Sequence, residues 1–369
     1  MVAAQGARGT PQLTKALLTT TVAATVAGLV GFTQARQSSA IDPKLAAGYL
    51  WFYSGLFLLR VAGQLVVRTR PPAWLPPDEE WNLTPYRLLL PVQLTILLVL
   101  VSAVWRVAGQ QATLPNAPES VKFGVIGDSG TGDQEQFDAA REMAKARATF
   151  AFDRVIMLGD NIYGGQGPKD LVNKFAKPYK PLLDAGVKFY ASLGNHDDPA
   201  NRAYPLWNMG GERYYSFSTQ NVRFFALDSS QLDDKQLAWL EDSLKNAHEE
   251  WKICYFHHPL YSNGGRHGSS VDLRVVLEPL FVAHGVNVVF AGHDHIYERL
   301  TPQKGIYYFV EGSSGQLRKG DAKRSSTTAA SFDSDLSFML VEIAGNHMTF
   351  QAISRKGQVV DSGTIRAQQ

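Results

Sequence analysis

The sequence predicts an α/β domain after residue 120, in which two β-sheets pack as a sandwich flanked by helices, and a helical transmembrane region before it. Two observations predict this fold class. Short β-branched runs alternate with amphipathic segments from residue 121 onward, as in sheets with helical crossovers. The first third of the chain instead contains long apolar stretches of the kind that span membranes.

The N-terminal region, residues 1–109, predicts up to three transmembrane helices. Its apolar stretches cover about residues 16–34, 45–67 and 86–107, each close to the ~20 residues that a helix needs to cross a bilayer. A cleaved signal or targeting segment is an alternative for residues 1–36, and a soluble core helix is one for residues 45–67. Neither alternative explains all three stretches, so we expect the chain to be anchored in a membrane.

Flanking basic residues predict the orientation of that anchor. With three spans and a cytoplasmic N-terminus, more Lys and Arg lie in the inner segments than in the outer loop. The inner residues are Arg8, Lys15, Arg68, Arg70 and Arg87, and the outer ones are Arg36 and Lys44. This distribution places the C-terminal domain outside the cytoplasm, and the loss of one span would reverse the conclusion.

Charge and cysteine content exclude some classes of protein. The 36 basic and 34 acidic residues leave a net charge of +2, which indicates no nucleic-acid partner. The single cysteine, Cys254, excludes an intrachain disulfide and suits a small buried apolar side chain. The composition leaves the oligomeric state open.

Residues 110–120 are polar and contain prolines, which indicates a linker, and the domain that follows covers residues 121–369. Its first part predicts alternating strands and helices, and hence a largely parallel sheet. The expected strands are 121–126, 154–158, 187–192, 222–227, 252–256 and 286–290, and the expected helices are 134–146, 235–247 and 271–283.

The last part of the chain predicts strands without long helices between them, at 306–310, 338–343, 348–353 and 359–365. We therefore expect a second, more antiparallel sheet, which completes the sandwich. The stretch from Ser313 to Asp335 is rich in Gly, Ser, Thr and basic residues, so it predicts a mobile loop.

Polar residues of metal-binding types directly follow five of the predicted strands. The carboxyl ends of strands in an α/β sheet form the crevice where ligands bind, so these side chains should meet at one edge. Each is weak evidence alone, because Gly-Asp and Gly-Asn pairs are common in turns. The residues are Asp128, Asp160, Asn195 with His196, His257 with His258, and His293 with His295.

Five motifs in this order resemble those of the metallophosphoesterase superfamily. They are Gly127-Asp128-Ser129-Gly130, Gly159-Asp160-Asn161-Ile162-Tyr163, Gly194-Asn195-His196-Asp197, His257-His258-Pro259-Leu260-Tyr261 and Gly292-His293-Asp294-His295. Tyr163, three residues after the second aspartate, is similar to the metal-binding tyrosine of the purple acid phosphatases, and the compact layout resembles their tartrate-resistant type. The resemblance covers about residues 120–350.

The resemblance implies a pair of metal ions. One ion would bind Asp128, Tyr163 and His295, the other would bind Asn195, His257 and His293, and Asp160 would bridge them. A phenolate with carboxylates suits a hard ion such as Fe(III), whereas two imidazoles and an amide oxygen suit Fe(II), Zn(II) or Mn(II).

The resemblance also implies hydrolysis of phosphate monoesters by metal-bound hydroxide. Three negative side chains and a hydroxide, set against five metal charges, would leave about one positive charge to attract a phosphate ester. His196 and His267 are candidates to bind phosphate oxygens and protonate the leaving group, with Asp160 between the metals.

Two other functions stay open. A phosphodiesterase or nucleotide pyrophosphatase could use the same metals, and a membrane-bound sensor or scaffold could bind a phosphate ligand without turnover. We expect Asp197 and Asp198 to cap a turn or to orient a ligand. We expect Glu298 and Arg299 to form a structural ion pair. Five basic loop residues could draw anionic substrate toward the site, and for the last four a merely solvated loop is an alternative: Arg266, Arg318, Lys319, Lys323 and Arg324.

Overall fold

The computed structural model describes residues 113–367, together with the isolated positions Gly55 and Leu58. Apart from those two positions, the predicted membrane stretches at 16–34, 45–67 and 86–107 lie outside the described residues. Within the part of the chain that is described, no helix has both the length and the apolar character required to cross a bilayer. The chain divides into units at Gln110, and the second unit is described below.

The described residues form thirteen strands and five α-helices. In chain order the strands are β1 (Val121–Ile126), β2 (Arg154–Leu158), β3 (Lys188–Ser192), β4 (Tyr215–Thr219), β5 (Val222–Ala226), β6 (Trp251–Phe256), β7 (Val288–Ala291), β8 (Tyr297–Leu300), β9 (Tyr307–Glu311), β10 (Thr328–Phe332), β11 (Ser337–Ala344), β12 (His347–Ser354) and β13 (Val359–Arg366). The helices are α1 (Gln134–Arg147), α2 (Pro168–Leu171), α3 (Lys180–Asp184), α4 (Asp234–Lys245) and α5 (Val271–Ala283).

Local chemistry explains where the longer helices begin. Asp133 precedes α1 and accepts a hydrogen bond from the backbone N–H of Gln136, and Asp233 does the same for Gln236 in α4. Each cap satisfies a backbone donor that has no partner within its helix. The start of β1 is fixed in a similar way, because the N–H groups of Asn116 and Ala117 both donate to Glu342 on β11.

The strands form two mixed sheets. The first has the order β13-β12-β11-β1-β2-β3, and the second has the order β10-β8-β9-β7-β6-β5-β4. Strands β1, β2 and β3 run parallel, and so do β5, β6, β7 and β9. The carboxyl ends of two parallel groups, one in each sheet, therefore carry the motif loops.

The main core lies between the two sheets. Phe123 of β1 packs edge-on against Phe224 of β5, with ring centroids 5.2 Å apart, and also against Phe290 of β7. Two further apolar clusters lie on the outer faces, one including α1 and α3, and the other including α4 and α5. These layers confirm the predicted sandwich flanked by helices.

The predicted division of strands between the sheets is wrong. We expected the antiparallel C-terminal strands to build a sheet of their own, but β11 pairs with β1 and extends the first sheet. The hydrophobic pattern of a strand reports which of its faces are buried, and it does not report which strand lies beside it. Both sheets consequently combine parallel and antiparallel strands.

Two smaller expectations are also wrong. The stretch 313–335 is not simply a loop, because it contains β10, which pairs with β8. Glu298 and Arg299 do not pair with each other, since neighbouring residues of a strand point to opposite faces. Arg299 donates to Asp361 at 2.7 Å, and Glu298 accepts from the N–H of Asn263 at 2.7 Å.

Candidate metal centre

The candidate site lies where β1, β2 and β3 of the first sheet and β6 and β7 of the second sheet end. Each of these strands is followed by one of the five motifs. The structure brings all seven predicted metal ligands together there, as two groups of three side chains with Asp160 between them. The seven residues are Asp128, Asp160, Tyr163, Asn195, His257, His293 and His295.

The first group contains Asp128, Tyr163 and His295. The Tyr163 hydroxyl lies 3.0 Å from Asp128 Oδ1 and 3.3 Å from His295 Nε2. His295 Nε2 lies 3.4 Å from the same carboxylate oxygen. Three donor atoms from three separate loops therefore face one point.

The second group contains Asn195, His257 and His293. His257 Nε2 lies 3.0 Å from Asn195 Oδ1 and 3.1 Å from His293 Nδ1. His257 Nδ1 lies 2.9 Å from the carbonyl oxygen of Leu158. Because a carbonyl only accepts, Nδ1 carries the proton and Nε2 presents its lone pair to the group, as a metal ligand must.

Asp160 connects the two groups. Its Oδ1 lies 3.4 Å from His257 Nε2 in the second group, and its carboxylate lies within 4.8 Å of that of Asp128 in the first. The backbone N–H of His196 donates to the same oxygen at 2.9 Å. Asp160 is thus the residue whose position suits a bridge.

The donor set fits metal ions. Two atoms bound to one ion at right angles, each ~2.1 Å from it, lie ~3 Å apart, which is close to the separations within each group. Ligand atoms of Asp128, Asp160 and His257 all lie within 4.8 Å of one another, and so do those of His257, His258 and His293. Among the described residues, Asp128 and Asp160 have no Lys or Arg within salt-bridge distance. Cations would compensate these buried acids.

The pKa values of these groups show that burying them together disfavours their charged forms. Burial, reinforced by the charge of Asp160, raises the pKa of Asp128 well above its usual range. Burial and both carboxylates raise the pKa of Tyr163. Burial lowers the pKa of His293 to about 2 and that of His295 to about 4, so both imidazoles are neutral and able to bind a metal.

The backbone is left-handed at three of the seven residues, which is unusual outside glycine. The φ angles are +53° at Asp128, +50° at Asp160 and +72° at His293. The chain from His293 to His295 is therefore not extended, yet both imidazoles reach the site, and the Asp294 carboxylate accepts from the Ser262 hydroxyl. The tight turn at His293 directs its ring to the second group while His295 joins the first.

Close packing requires glycine beside the ligands. A Cβ on Gly194 would lie 2.2 Å from Asp160 Oδ1, and one on Gly292 would lie 2.5 Å from Asp128 Oδ2. Asp197 fixes the neighbouring loops, because its carboxylate accepts from the N–H groups of Asn161, Ile162 and Gly194 at 2.9–3.1 Å. This agrees with the expectation that Asp197 orients ligands and does not bind metal itself.

The other predicted histidines surround the centre. The His196 ring lies 5.0 Å from the Tyr163 ring, and the His267 ring lies 4.1 Å from that of His293. Both are exposed on the open side of the site. His258 is half-buried, bonds Ser229 at 2.9 Å and lies 4.5 Å from His293, so it supports the second group.

Sequence reasoning missed one residue near the centre and left the role of another open. Glu311, at the end of β9, is fully buried and accepts from Ser313 and Ser337. Arg318 lies beside His295, although the sequence left it undecided between a substrate-attracting and a merely solvated residue. The only sequence signal for Glu311 was an acidic residue directly after an apolar strand, and for Arg318 a glycine-rich segment following that strand.

A two-sheet α/β fold with carboxylates and imidazoles gathered at its strand ends suits a metal-dependent hydrolase. Comparison with known proteins identifies the class as the metal-dependent phosphoric ester hydrolases. Residues 121–297 match the family model of the calcineurin-like phosphoesterases, and this part of the chain is a domain of that family. Within the family, the chain is related to the tartrate-resistant and purple acid phosphatases.

Among curated proteins, the chain is 27% identical over 293 residues to human tartrate-resistant acid phosphatase type 5, which covers 66% of this chain and 90% of that protein. It is 26% identical over 239 residues to purple acid phosphatase 17 of Arabidopsis thaliana, covering 55% of this chain and 70% of the relative. Among solved structures, purple acid phosphatase PPD1 from yellow lupin superposes with a TM-score of 0.58 at 18% identity, covering 69% of this chain and 55% of the lupin chain.

Another solved structure shares the fold. GAP50, described as the anchor in the inner membrane complex of Plasmodium, superposes with a TM-score of 0.59 at 19% identity, covering 68% of this chain and 90% of that one. At this level of identity the similarity concerns the fold alone.

Proposed function

We propose that this chain hydrolyses phosphate monoesters at a two-metal centre. The observation that supports the proposal is the position of Asp160, whose carboxylate lies close to donor atoms of both groups. One group would hold one ion and the other group the second. Two bound cations supply Lewis-acid activation of water and neutralise phosphate charge.

The two groups differ in hardness, and this difference suggests which ions they hold. Asp128 and Tyr163 offer anionic oxygens, which suit Fe(III), beside the imidazole of His295. Asn195, His257 and His293 offer a neutral oxygen and two neutral nitrogens, which suit Fe(II), Zn(II) or Mn(II). The raised pKa of the Tyr163 hydroxyl means that it stays protonated unless a cation stabilises the phenolate, and a highly charged ion would do so.

Protein groups would position the ester and move the proton. His196 lies beside the first group and His267 beside the second, so a phosphate spanning the centre could meet both imidazoles. Each ring is exposed and carries N–H groups that can bind phosphate oxygens. Either can donate a proton to the leaving alcohol, and the acid nearest the leaving oxygen would do so.

The proposal is tested with p-nitrophenyl phosphate and its bis-ester, using the full chain in detergent and loaded with iron and zinc or manganese. We expect metal-dependent turnover that favours the monoester, and loss of at least a hundredfold in kcat for Asp160→Asn. Preference for the bis-ester would favour the alternative that the chain is a phosphodiesterase. Metal binding without turnover of either ester would favour the sensor or scaffold.

A spectrum tests the tyrosine ligand. An Fe(III)-loaded protein should be coloured by charge transfer from the Tyr163 phenolate, and Tyr163→Phe should lose that band. Asn195→Ala, which changes the other group, is the matched control and should keep the band. An unchanged spectrum in Tyr163→Phe would remove that residue from the centre.

We also propose that the N-terminal region anchors the enzyme in a membrane, with the catalytic domain outside the cytoplasm. The apolar stretches of residues 16–107 and their flanking basic residues support this. Protease digestion of sealed, right-side-out cells or vesicles should cleave the catalytic domain without lysis. Protection until lysis would reverse the orientation, and release of the chain by alkaline carbonate would exclude the anchor.

A further inference from the structure

The segment from Ser314 to Lys323, called here the basic loop, is bonded directly to the metal centre through its backbone. The N–H of Gln316 donates to the carbonyl oxygen of Asp128 at 3.0 Å, and the N–H of Arg318 donates to that of His295 at 3.0 Å. Asp128 and His295 are both proposed ligands of the first ion. Arg318 is therefore fixed beside the centre by main-chain bonds.

The other end of the basic loop is bonded to the loop that carries His267. The N–H of Gly265 donates to the carbonyl oxygen of Asp321 at 2.8 Å, and the N–H of Lys323 donates to that of Asn263 at 2.9 Å. Arg318 thus lies on a segment held between His295 on one side and the His267 loop on the other.

One buried donor of the half-buried Arg318 side chain lacks a partner of the kind that Arg299 and Arg213 have. Its Nη1 is buried, and among the described residues it has no hydrogen-bond partner. Arg299 and Arg213, by contrast, each bind aspartate at 2.6–2.7 Å. A buried charged donor without a partner is costly, so its retention points to a ligand that completes it.

The charge of Arg318 acts on the site as well. Its backbone bond to His295 places it beside the first group, and the bonds of the basic loop to Gly265 and Asn263 place it next to the loop that carries His267. An anion bound between these histidines would experience the field of the guanidinium with a favourable sign.

We propose that Arg318 is a substrate-binding residue, which donates hydrogen bonds to a non-bridging oxygen of the phosphate ester and favours dianionic monoesters over monoanionic diesters. This inference rests on the proposed function. A planar guanidinium matches two phosphate oxygens, and a monoester offers three non-bridging oxygens where a diester offers two. The extra positive charge also favours the more highly charged ester.

The experiment compares Arg318→Ala and Arg318→Lys with wild type in the metal-loaded full chain. For p-nitrophenyl phosphate we expect Arg318→Ala to raise KM at least tenfold, with a smaller change for the bis-ester, because the lost hydrogen bond is charge-assisted. Lysine should recover part of the affinity. Calorimetric binding of inorganic phosphate should weaken by a similar factor, which gives a readout independent of turnover.

Two control variants separate a direct bond from general charge. Arg141→Ala removes an exposed arginine on α1 that pairs with Asp138, and should leave both esters unaffected. Arg324→Ala removes an exposed charge just beyond the basic loop, and any effect should disappear at high salt, whereas that of Arg318→Ala should persist.

The outcomes distinguish the two proposals. If wild type hydrolyses neither ester, the proposed function fails. If wild type is active but Arg318→Ala keeps its KM, its phosphate affinity and its preference between esters, then Arg318 does not bind substrate while the proposed function stands. An equal loss for both esters would overturn the proposed selectivity.

Discussion

Glu311 shows how the fold treats a carboxylate that has no nearby cation. Its side chain is fully buried, and it accepts from the Ser337 hydroxyl at 3.0 Å and from the Ser313 hydroxyl at 3.2 Å. Burial raises its pKa to about 8, despite the lowering effect of these hydrogen bonds. The acid is therefore protonated in the folded protein at neutral pH.

This pKa has a consequence for stability. In the unfolded chain Glu311 has the ordinary glutamate pKa of 4.5, so between that pH and about 8 the folded state binds more protons. Stability from this group is full below pH 4.5 and falls as the pH rises, by up to ~1.4 kcal/mol per unit. Glu311→Gln keeps the group neutral and should remove this slope.

The measurement is urea unfolding of the metal-free catalytic domain, or of the full chain in detergent, at several pH values from 5 to 8. As the pH rises, the unfolding free energy of Glu311→Gln should increase relative to that of wild type. Glu135→Gln, at an exposed position, is the control and should show no such trend. Parallel pH profiles for Glu311→Gln and wild type would show that Glu311 is ionised in the fold.

At the residue scale, the sequence predicted which seven side chains lie together at the site because their placement is local. A carboxylate, amide or imidazole directly after a buried strand can only lie at the strand end. The partners of Glu311 and the position of Arg318 depend on bonds between segments distant along the chain, such as Arg318 with His295. Single residue types in a polar loop contain no signal of that kind.

Among the elements, β8 and β13 are joined across the sandwich by an ion pair. Arg299 of β8 donates to both carboxylate oxygens of Asp361 on β13, at 2.7 and 3.1 Å, and the Tyr297 hydroxyl donates to the same carboxylate at 2.8 Å. The two strands belong to different sheets. This pair thus helps to fix the edge of one sheet against the other.

Removing one partner leaves a largely buried charge uncompensated. We expect Asp361→Ala or Arg299→Ala to lower the unfolding free energy by about 2–4 kcal/mol, and the double variant to cost less than the sum of the two. Urea denaturation measures all three. Lys180→Ala, which breaks an exposed pair with Asp184, should have little effect. Additive single effects would show that Arg299 and Asp361 do not interact.

The sequence predicted some helices and strands correctly and missed others. Strands such as β1 and helices such as α5 follow from apolar runs and helical spacing, and their observed bounds match the expected ones. The strands β4, β8 and β10 were missed because they are short or polar: β8 has Glu298 and Arg299 at its centre, and every residue of β10 is only half-buried. Their stability comes from pairing with neighbours, which local periodicity does not show.

For the molecule as a whole, metal binding and folding should be coupled. The centre joins loops from both sheets. Without cations, burial and then the charge of Asp160 raise the pKa of Asp128, so the acids are unfavourable there in their charged form. Binding of ions to the folded state alone stabilises it by mass action, by ~2.7 kcal/mol at a hundredfold excess over Kd.

Chelation should therefore lower the melting temperature. We expect a drop of several degrees when a metal-loaded protein is treated with a strong chelator, and recovery on adding the metals back, both followed by calorimetry. The Asp160→Asn variant should lose much of the increase in melting temperature that the metals produce. An identical melting temperature with and without metals would indicate that the ions do not bind at this interface between the sheets.

The account depends on two ions bound side by side at these seven residues, and anomalous scattering from crystals of the metal-loaded protein tests this most directly. We expect two peaks about 3.5–4 Å apart. Asp160 should lie between them, with Tyr163 at one peak and Asn195 at the other. A single peak, or two peaks that leave Asp160 in contact with neither ion, would contradict the account.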